Sequence, residues 1–262
     1  MHPHVSQHVS LLALHGFTGC GEDFSKFSPF CGPGIAWHCP NLPGHGPAPD
    51  LSCGPEATIA RVHDAQRALP KRAHTHARVL LGYSMGARAA LLHATTFPDA
   101  WDALILISAN PGIESEAERT ERRQSDARLA QQIETAGLRS FLECWQQHPL
   151  IRSQQNIPAD WQPAMRAHRL QHSEAGLAAS LRQFGQGQCP NLWPMLSKIT
   201  SPVLLITGGH DEKYTKIGQR MARELATCNH AVVTGAGHMP HLEAPVDSSG
   251  YIRDFLNLLD RR

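Results

Sequence analysis

The chain has 262 residues, 41% of them hydrophobic and 18% charged, which is enough for one large packed domain or two small ones. A formal net charge of +1 gives no electrostatic case for nucleic acid or an anionic membrane as partner, and no apolar run approaches the ~20 residues that cross a bilayer. The seven cysteines are scattered without a C-x-x-C pair, and the first residues lack the basic start and apolar stretch of a secretory signal, so reduced thiols in a cytoplasmic protein are expected.

Val9–Leu14 reads as the first strand and runs into the loop His15-Gly16-Phe17-Thr18-Gly19. A second strand around Ile35–Cys39 leads to the turn-rich segment Asn41-Leu-Pro-Gly-His-Gly46. His38, Cys39 and His45 are near one another there, but they flank a Pro/Gly turn without the ligand spacing of a zinc site. No metal is expected, and the 17 histidines are taken as surface or hydrogen-bonded. A helix over Thr58–Ala68 precedes the third strand, Arg78–Leu81, and a second helix follows it over Ala87–Thr96. Between strand and helix stands Gly82-Tyr83-Ser84-Met85-Gly86. A serine between two glycines at a strand-to-helix turn is a nucleophile elbow, in which a strained serine backbone needs close-packed neighbours without a Cβ.

The fourth strand, Ala103–Ser108, is a continuous apolar run of the kind buried on both faces of a parallel sheet. From Ile113 to about Leu192 the chain turns helical, polar and rich in Arg, Gln and Glu, beginning with a helix over Glu114–Thr135 and ending in Leu177–Phe184. Strand character returns at Pro202–Thr207 and Ala231–Thr234, and a helix over Ser248–Leu259 closes the chain. The expected architecture is therefore α/β: an open, mostly parallel sheet flanked by helices, built from residues 1–112 and 193–262, with 113–192 as a helical cap over the strands' carboxyl ends. Few residues precede the first strand, so a sheet trimmed of N-terminal strands is expected.

A serine hydroxyl needs a neighbour to take its proton, and an elbow serine is followed in chain order by an acid and then a histidine on loops after later strands. Thr207-Gly-Gly-His-Asp211 and Thr234-Gly-Ala-Gly-His238 occupy those loops. Asp211 would orient His238, and His238 would activate Ser84. Taken alone, Asp211 also suits a turn or helix cap, and His210 and His241 compete for the histidine role. The Met85 backbone amide and one from the first-strand loop, assigned to Phe17, would form an oxyanion hole, with His15 shaping that loop. Arg88 lies one helical turn beyond Ser84 and suits a carboxylate, unless a structural acid claims it. Arg119, Arg122 and Arg123 either reach the pocket or form a solvated face, and Trp145 either lines the pocket or packs in the cap.

These residues resemble the α/β-hydrolase superfamily over nearly the whole chain. More narrowly, the sequence is similar to the 2-succinyl-6-hydroxy-2,4-cyclohexadiene-1-carboxylate synthase family of menaquinone biosynthesis. The similarity is carried by Leu14–Gly19, Leu42–Gly46, Gly82–Arg88, Glu118–Arg123, Phe141–Pro149, Phe184–Gln188 and Asp211–Tyr214. Ala87 departs from it, since the family more often carries a second glycine there. The resemblance implies a lyase in which Ser84 removes a proton α to a carbonyl and pyruvate leaves from an enolpyruvyl group. It also implies that Tyr83, Arg88 and Arg122 hold a small, multi-carboxylate substrate under Trp145, without metal or organic cofactor, in an enzyme expected to be a monomer. A serine esterase or carbon–carbon hydrolase using the same triad is the competing enzyme. A ligand receptor retaining the triad is a further alternative on the same fold.

Overall fold

In the computed structural model, which describes residues 8–48, 51–70 and 76–259, six apolar runs pair into one sheet. The opening residues on which the signal-sequence expectation rests lie largely outside the described segments. The strands are β1 (His8–Leu14), β2 (Ile35–His38), β3 (His76–Tyr83), β4 (Ala103–Ile107), β5 (Val203–Gly208) and β6 (Cys228–Val233). They lie in the order β2-β1-β3-β4-β5-β6, and every neighbouring pair is parallel. All six strands run parallel, as expected of an open parallel sheet; His8 is the first described residue, so the expectation of a sheet trimmed of N-terminal strands falls outside the described residues. Strand order reverses between β1 and β3, so the loops after these two strands diverge around a crevice at the sheet's carboxyl edge.

Helices α1 (Pro55–Ala68) and α2 (Met85–Thr96) follow β2 and β3. Between β4 and β5 come α3 (Glu116–Ala136), α4 (Leu138–Trp145), α5 (Pro149–Arg152), α6 (Gln162–Arg169) and α7 (Glu174–Phe184). The chain ends in α8 (Glu212–Glu224), α9 (Pro240–Glu243) and α10 (Pro245–Leu259). Alternation along β1 feeds two cores: Leu12 and Leu14 pack toward α1, α2 and α8, whereas Val9, Leu11 and Ala13 pack toward α10. The α3–α7 segment has a core of its own, in which Ala130 and Ile133 meet Phe141, Leu142, Leu177 and Leu181. Trp161 and Met165, which flank the start of α6, instead join the core on the α10 face of the sheet. That contact seats the helical segment on the body of the protein.

Local chemistry sets the helix ends. Ser115 caps α3 by accepting from the Glu118 amide, which is why the helix starts after Glu114, and Gly137 at φ 81° stops it. Helix α8 is not anticipated from the sequence. Its buried stripe is only Tyr214, Gly218 and Met221, at i, i+4 and i+7, and charged residues surround it.

Candidate active site

Ser84 stands between β3 and α2 with φ 51° and ψ −106°, a conformation worth roughly 1–3 kcal/mol of strain for a residue with a Cβ. Its amide is pinned to the Ile107 carbonyl of β4 at 2.9 Å. The flanking glycines are required by close approach. A Cβ on Gly82 would stand 2.4 Å from the Gly86 carbonyl oxygen, and one on Gly86 would stand 2.1 Å from the Leu14 carbonyl oxygen. Ala87, the departure from the family pattern, is fully buried in the core against α1 and α8, so its methyl group has a place.

The Ser84 Oγ lies 2.9 Å from His238 Nε2, and His238 Nδ1 lies 2.6 Å from Asp211 Oδ2. Asp211 makes both of the contacts expected of it: its other oxygen accepts the Tyr214 amide at 3.3 Å and caps α8. The competing histidines point elsewhere. His210 is exposed, and His241 is buried among Phe24, Phe27 and Tyr83. The histidine loop is braced by two groups that sequence reasoning missed. Ser108 donates its hydroxyl to the His238 carbonyl at 2.8 Å, and the Glu243 carboxylate accepts the Gly237 and Met239 amides on either side. Ser153, between α5 and α6, also donates to Glu243, which ties the helical segment to this loop.

The loop after β1 makes a tight turn in which Thr18 has φ 63° and the Gly19 amide closes onto the Gly16 carbonyl at 3.0 Å. The Phe17 and Met85 amides, assigned to the oxyanion hole, have no hydrogen-bond partner among the described residues. Buried His15 bridges the two loops, donating from Nδ1 to the Gly16 carbonyl at 2.8 Å and accepting the Leu42 amide at Nε2.

A cavity of about 170 Å³ lies beside Ser84 and His238, walled by Phe17, Tyr83, Arg88, Arg122, Trp145 and Tyr214, among others, with no aspartate or glutamate in its wall. Arg88 donates to the Phe184 carbonyl at 3.3 Å, and its Nε is buried without a hydrogen-bond partner. None of the ion pairs found among the described residues involves it. Of the three arginines left open on α3, Arg122 faces the cavity, held by Asp126 at 2.8 Å and Gln186 at 2.7 Å. Arg119 and Arg123 pair with Glu116 on the outer side. Trp145 stacks on Phe141 and on His148, with Phe17 edge-on.

His148, Gln154, Gln186 and Tyr214 also line the cavity and were assigned no role from the sequence. His148, Gln186 and Tyr214 fall in the similar segments quoted above, whereas nothing in the sequence marks Gln154. Burial, and then the neighbouring Arg122, lower the His148 pKa, while burial raises those of Tyr83 and Tyr214 and keeps both phenols neutral. The cavity shares Arg122, Ser125 and Gln186 with an outer groove of about 700 Å³.

Burial also pushes His15 down to about 4 and His241 down to about 3 from an ordinary 6.5. Both rings take up a proton on unfolding below pH 6.5, so their contribution is complete above that value and is lost as the pH falls. Together they remove about 5 kcal/mol by pH 4.5, two units below the ordinary value for each. The melting temperature, followed by circular dichroism, should therefore fall steeply between pH 6.5 and 4.5, and less steeply in His241→Phe. A flat profile in the parent protein would rule out buried neutral imidazoles as the cause of acid sensitivity.

Residues 11–248 match the alpha/beta hydrolase family. A putative 2-succinyl-6-hydroxy-2,4-cyclohexadiene-1-carboxylate synthase of Bacillus subtilis (strain 168) is 34% identical over 254 residues, which cover 97% of this chain and 92% of that protein. The 2-succinyl-6-hydroxy-2,4-cyclohexadiene-1-carboxylate synthase of Salmonella agona (strain SL483) is 32% identical, with 93% of each chain covered. Among solved structures, MenH from S. aureus matches with a TM-score of 0.85 and 30% identity over 99% of this chain and 97% of its own.

Proposed function

The chain belongs to the alpha/beta hydrolase family, and from that premise we infer that it is a 2-succinyl-6-hydroxy-2,4-cyclohexadiene-1-carboxylate synthase of menaquinone biosynthesis, a lyase rather than a hydrolase. The observation that carries the substrate class is the wall of the cavity: Ser84 faces Arg88, which has no ion-pair partner among the described residues, and Arg122, which is already paired with Asp126. An ester of a neutral acid would leave the Arg88 cation without a counter-charge, whereas a substrate with several carboxylates supplies one.

In the reaction we propose, His238 takes the Ser84 hydroxyl proton as Ser84 Oγ removes the proton α to the substrate carbonyl. The electron pair moves onto that carbonyl oxygen, and the Phe17 and Met85 amides stabilise the enolate. Return of the pair breaks the carbon–oxygen bond to the enolpyruvyl group, which leaves as the enolate of pyruvate and takes up a proton. Asp211 holds His238 in the tautomer that accepts at Nε2 and stabilises the imidazolium. Arg88, Arg122 and Tyr83 bind the carboxylates and polar groups, Trp145 packs over the ring, and residues 113–192 act as the cap. The triad, the arginines and the two amides perform every step, so no metal or organic cofactor is invoked, and the enzyme is read as a cytoplasmic monomer.

The test supplies the enolpyruvyl-bearing precursor and follows pyruvate through a coupled reductase. Turnover supports the lyase. Absence of pyruvate, together with a burst on an activated ester, supports the serine hydrolase. Tight ligand-induced stabilisation without turnover would instead indicate a receptor. Arg88→Met keeps the aliphatic stem and removes the charge; a charge-assisted bond worth about 1.5–3 kcal/mol predicts a 10- to 100-fold loss in kcat/KM. Unchanged kcat/KM would remove Arg88 from substrate binding.

A further inference from the structure

The geometry points to His172, in the link between α6 and α7, as the positioning residue that fixes the second oxyanion donor from the cap side. This inference rests on the assignment of the Phe17 amide to the enolate oxygen.

His172 is buried and spans two loops of the hydrolase body. Its Nδ1 accepts the Gly46 amide at 2.9 Å, so the ring proton sits on Nε2 and is donated to the Thr18 carbonyl, also at 2.9 Å. Burial lowers its pKa and keeps the ring neutral, as this pairing requires. The next residue strengthens the dock, since the Ser173 amide donates to the Gly46 carbonyl at 2.9 Å.

What makes Thr18 the informative partner is the order of peptide groups. The Thr18 carbonyl and the Gly19 amide belong to one peptide plane, and the Gly19 amide donates to the Gly16 carbonyl at 3.0 Å. The Gly16 carbonyl and the Phe17 amide belong to the next plane in this relay. The path therefore runs from the His172 Nε2 proton through two rigid peptide groups to the Phe17 N–H, and each hydrogen bond polarises the one after it. His15 donates to the same Gly16 carbonyl at 2.8 Å, so the plane that carries the donor is held by two hydrogen bonds to one oxygen. Thr18 has φ 63°, a conformation that a non-glycine residue keeps only when its surroundings hold it. His172 comes from the helical segment, so seating that segment and ordering the oxyanion donor become one event.

Two substitutions separate the two bonds. His172→Asn places an amide where Nδ1 stood and retains the Gly46 bond, but it cannot reach Thr18. His172→Gln reaches Thr18 and gives up Gly46. The prediction is a fall in kcat of about 10- to 100-fold for the Asn variant, with KM little changed, because displacing a catalytic group by as little as an ångström has that effect. The Gln variant should keep kcat close to the parent value even if its melting temperature falls as far as that of the Asn variant. Should the Asn variant fail to fold, His172→Phe, which fills the ring volume without either polar atom, takes its place in the comparison.

Equal kcat in both variants and the parent would overturn the inference. So would equal losses that track melting temperature, which would reduce His172 to a structural contact. If the parent protein releases no pyruvate, the functional reading fails separately. The same two variants are then compared on an activated aryl ester, whose tetrahedral intermediate needs the same donor, with the same outcomes supporting or overturning the role of His172.

Discussion

Ser84→Ala should lower the rate of pyruvate release by at least about 10³-fold and leave substrate affinity nearly unchanged. The hydroxyl is the only atom lost. Alanine keeps the Cβ that already tolerates φ 51°, the Ile107 contact is made by the backbone amide, and Gly82 and Gly86 still pack as before. The arginines and the Trp145 wall remain, so binding persists while the group that would carry the α-proton is gone. The residual rate belongs to the oxyanion amides and to binding. Steady-state kinetics with the coupled pyruvate assay checks this, and a loss smaller than about tenfold would exclude a serine base, because general-base contributions run to 10²–10⁴.

Asp211→Asn should cost about 10³- to 10⁴-fold in kcat with little loss of stability. The carboxylate accepts the His238 Nδ1 proton at 2.6 Å in a buried setting. An amide nitrogen turned toward Nδ1 would move the imidazole proton to Nε2, the atom that must accept from Ser84. Turning the amide the other way sets its nitrogen against the Tyr214 N–H, which Asp211 now caps. Asparagine is itself a good helix cap, so α8 should survive and the melting temperature should shift by only a few degrees. A kcat within tenfold of the parent at neutral pH would mean that Asp211 serves α8 alone.

The fold was legible because its strands are short apolar runs separated by stretches of good helix formers, and Ser84, Asp211 and His238 stand just after such runs. The structure brings those three within hydrogen-bonding distance, as their chain order led one to expect. Helix phase was not legible on α3. The helix is polar on most sides, and its rotation is set by buried Asp126, Ala130 and Ile133, so no apolar stripe tells Arg122 from Arg119 or Arg123. Glu243, Ser108 and Gln154 escaped notice for a different reason. Ser108 and Gln154 gain their partners only when segments apart in the chain dock, and Glu243 collects two nearby amides only once its loop folds back, with the Ser153 hydroxyl arriving from far upstream. At Asp211 the cap and the triad readings do not compete in geometry, since one oxygen accepts the Tyr214 amide and the other bonds His238.

The central claim is that an oxygen activated by His238 removes a proton from carbon and is never acylated. The most direct measurement is a single turnover on precursor carrying deuterium at the carbon that loses its proton, with the mass of the enzyme recorded during the reaction. A slower release of pyruvate from the deuterated precursor, with the protein mass unchanged throughout, is the predicted result. Equal rates for the two isotopes, together with a transient adduct on Ser84, would contradict it.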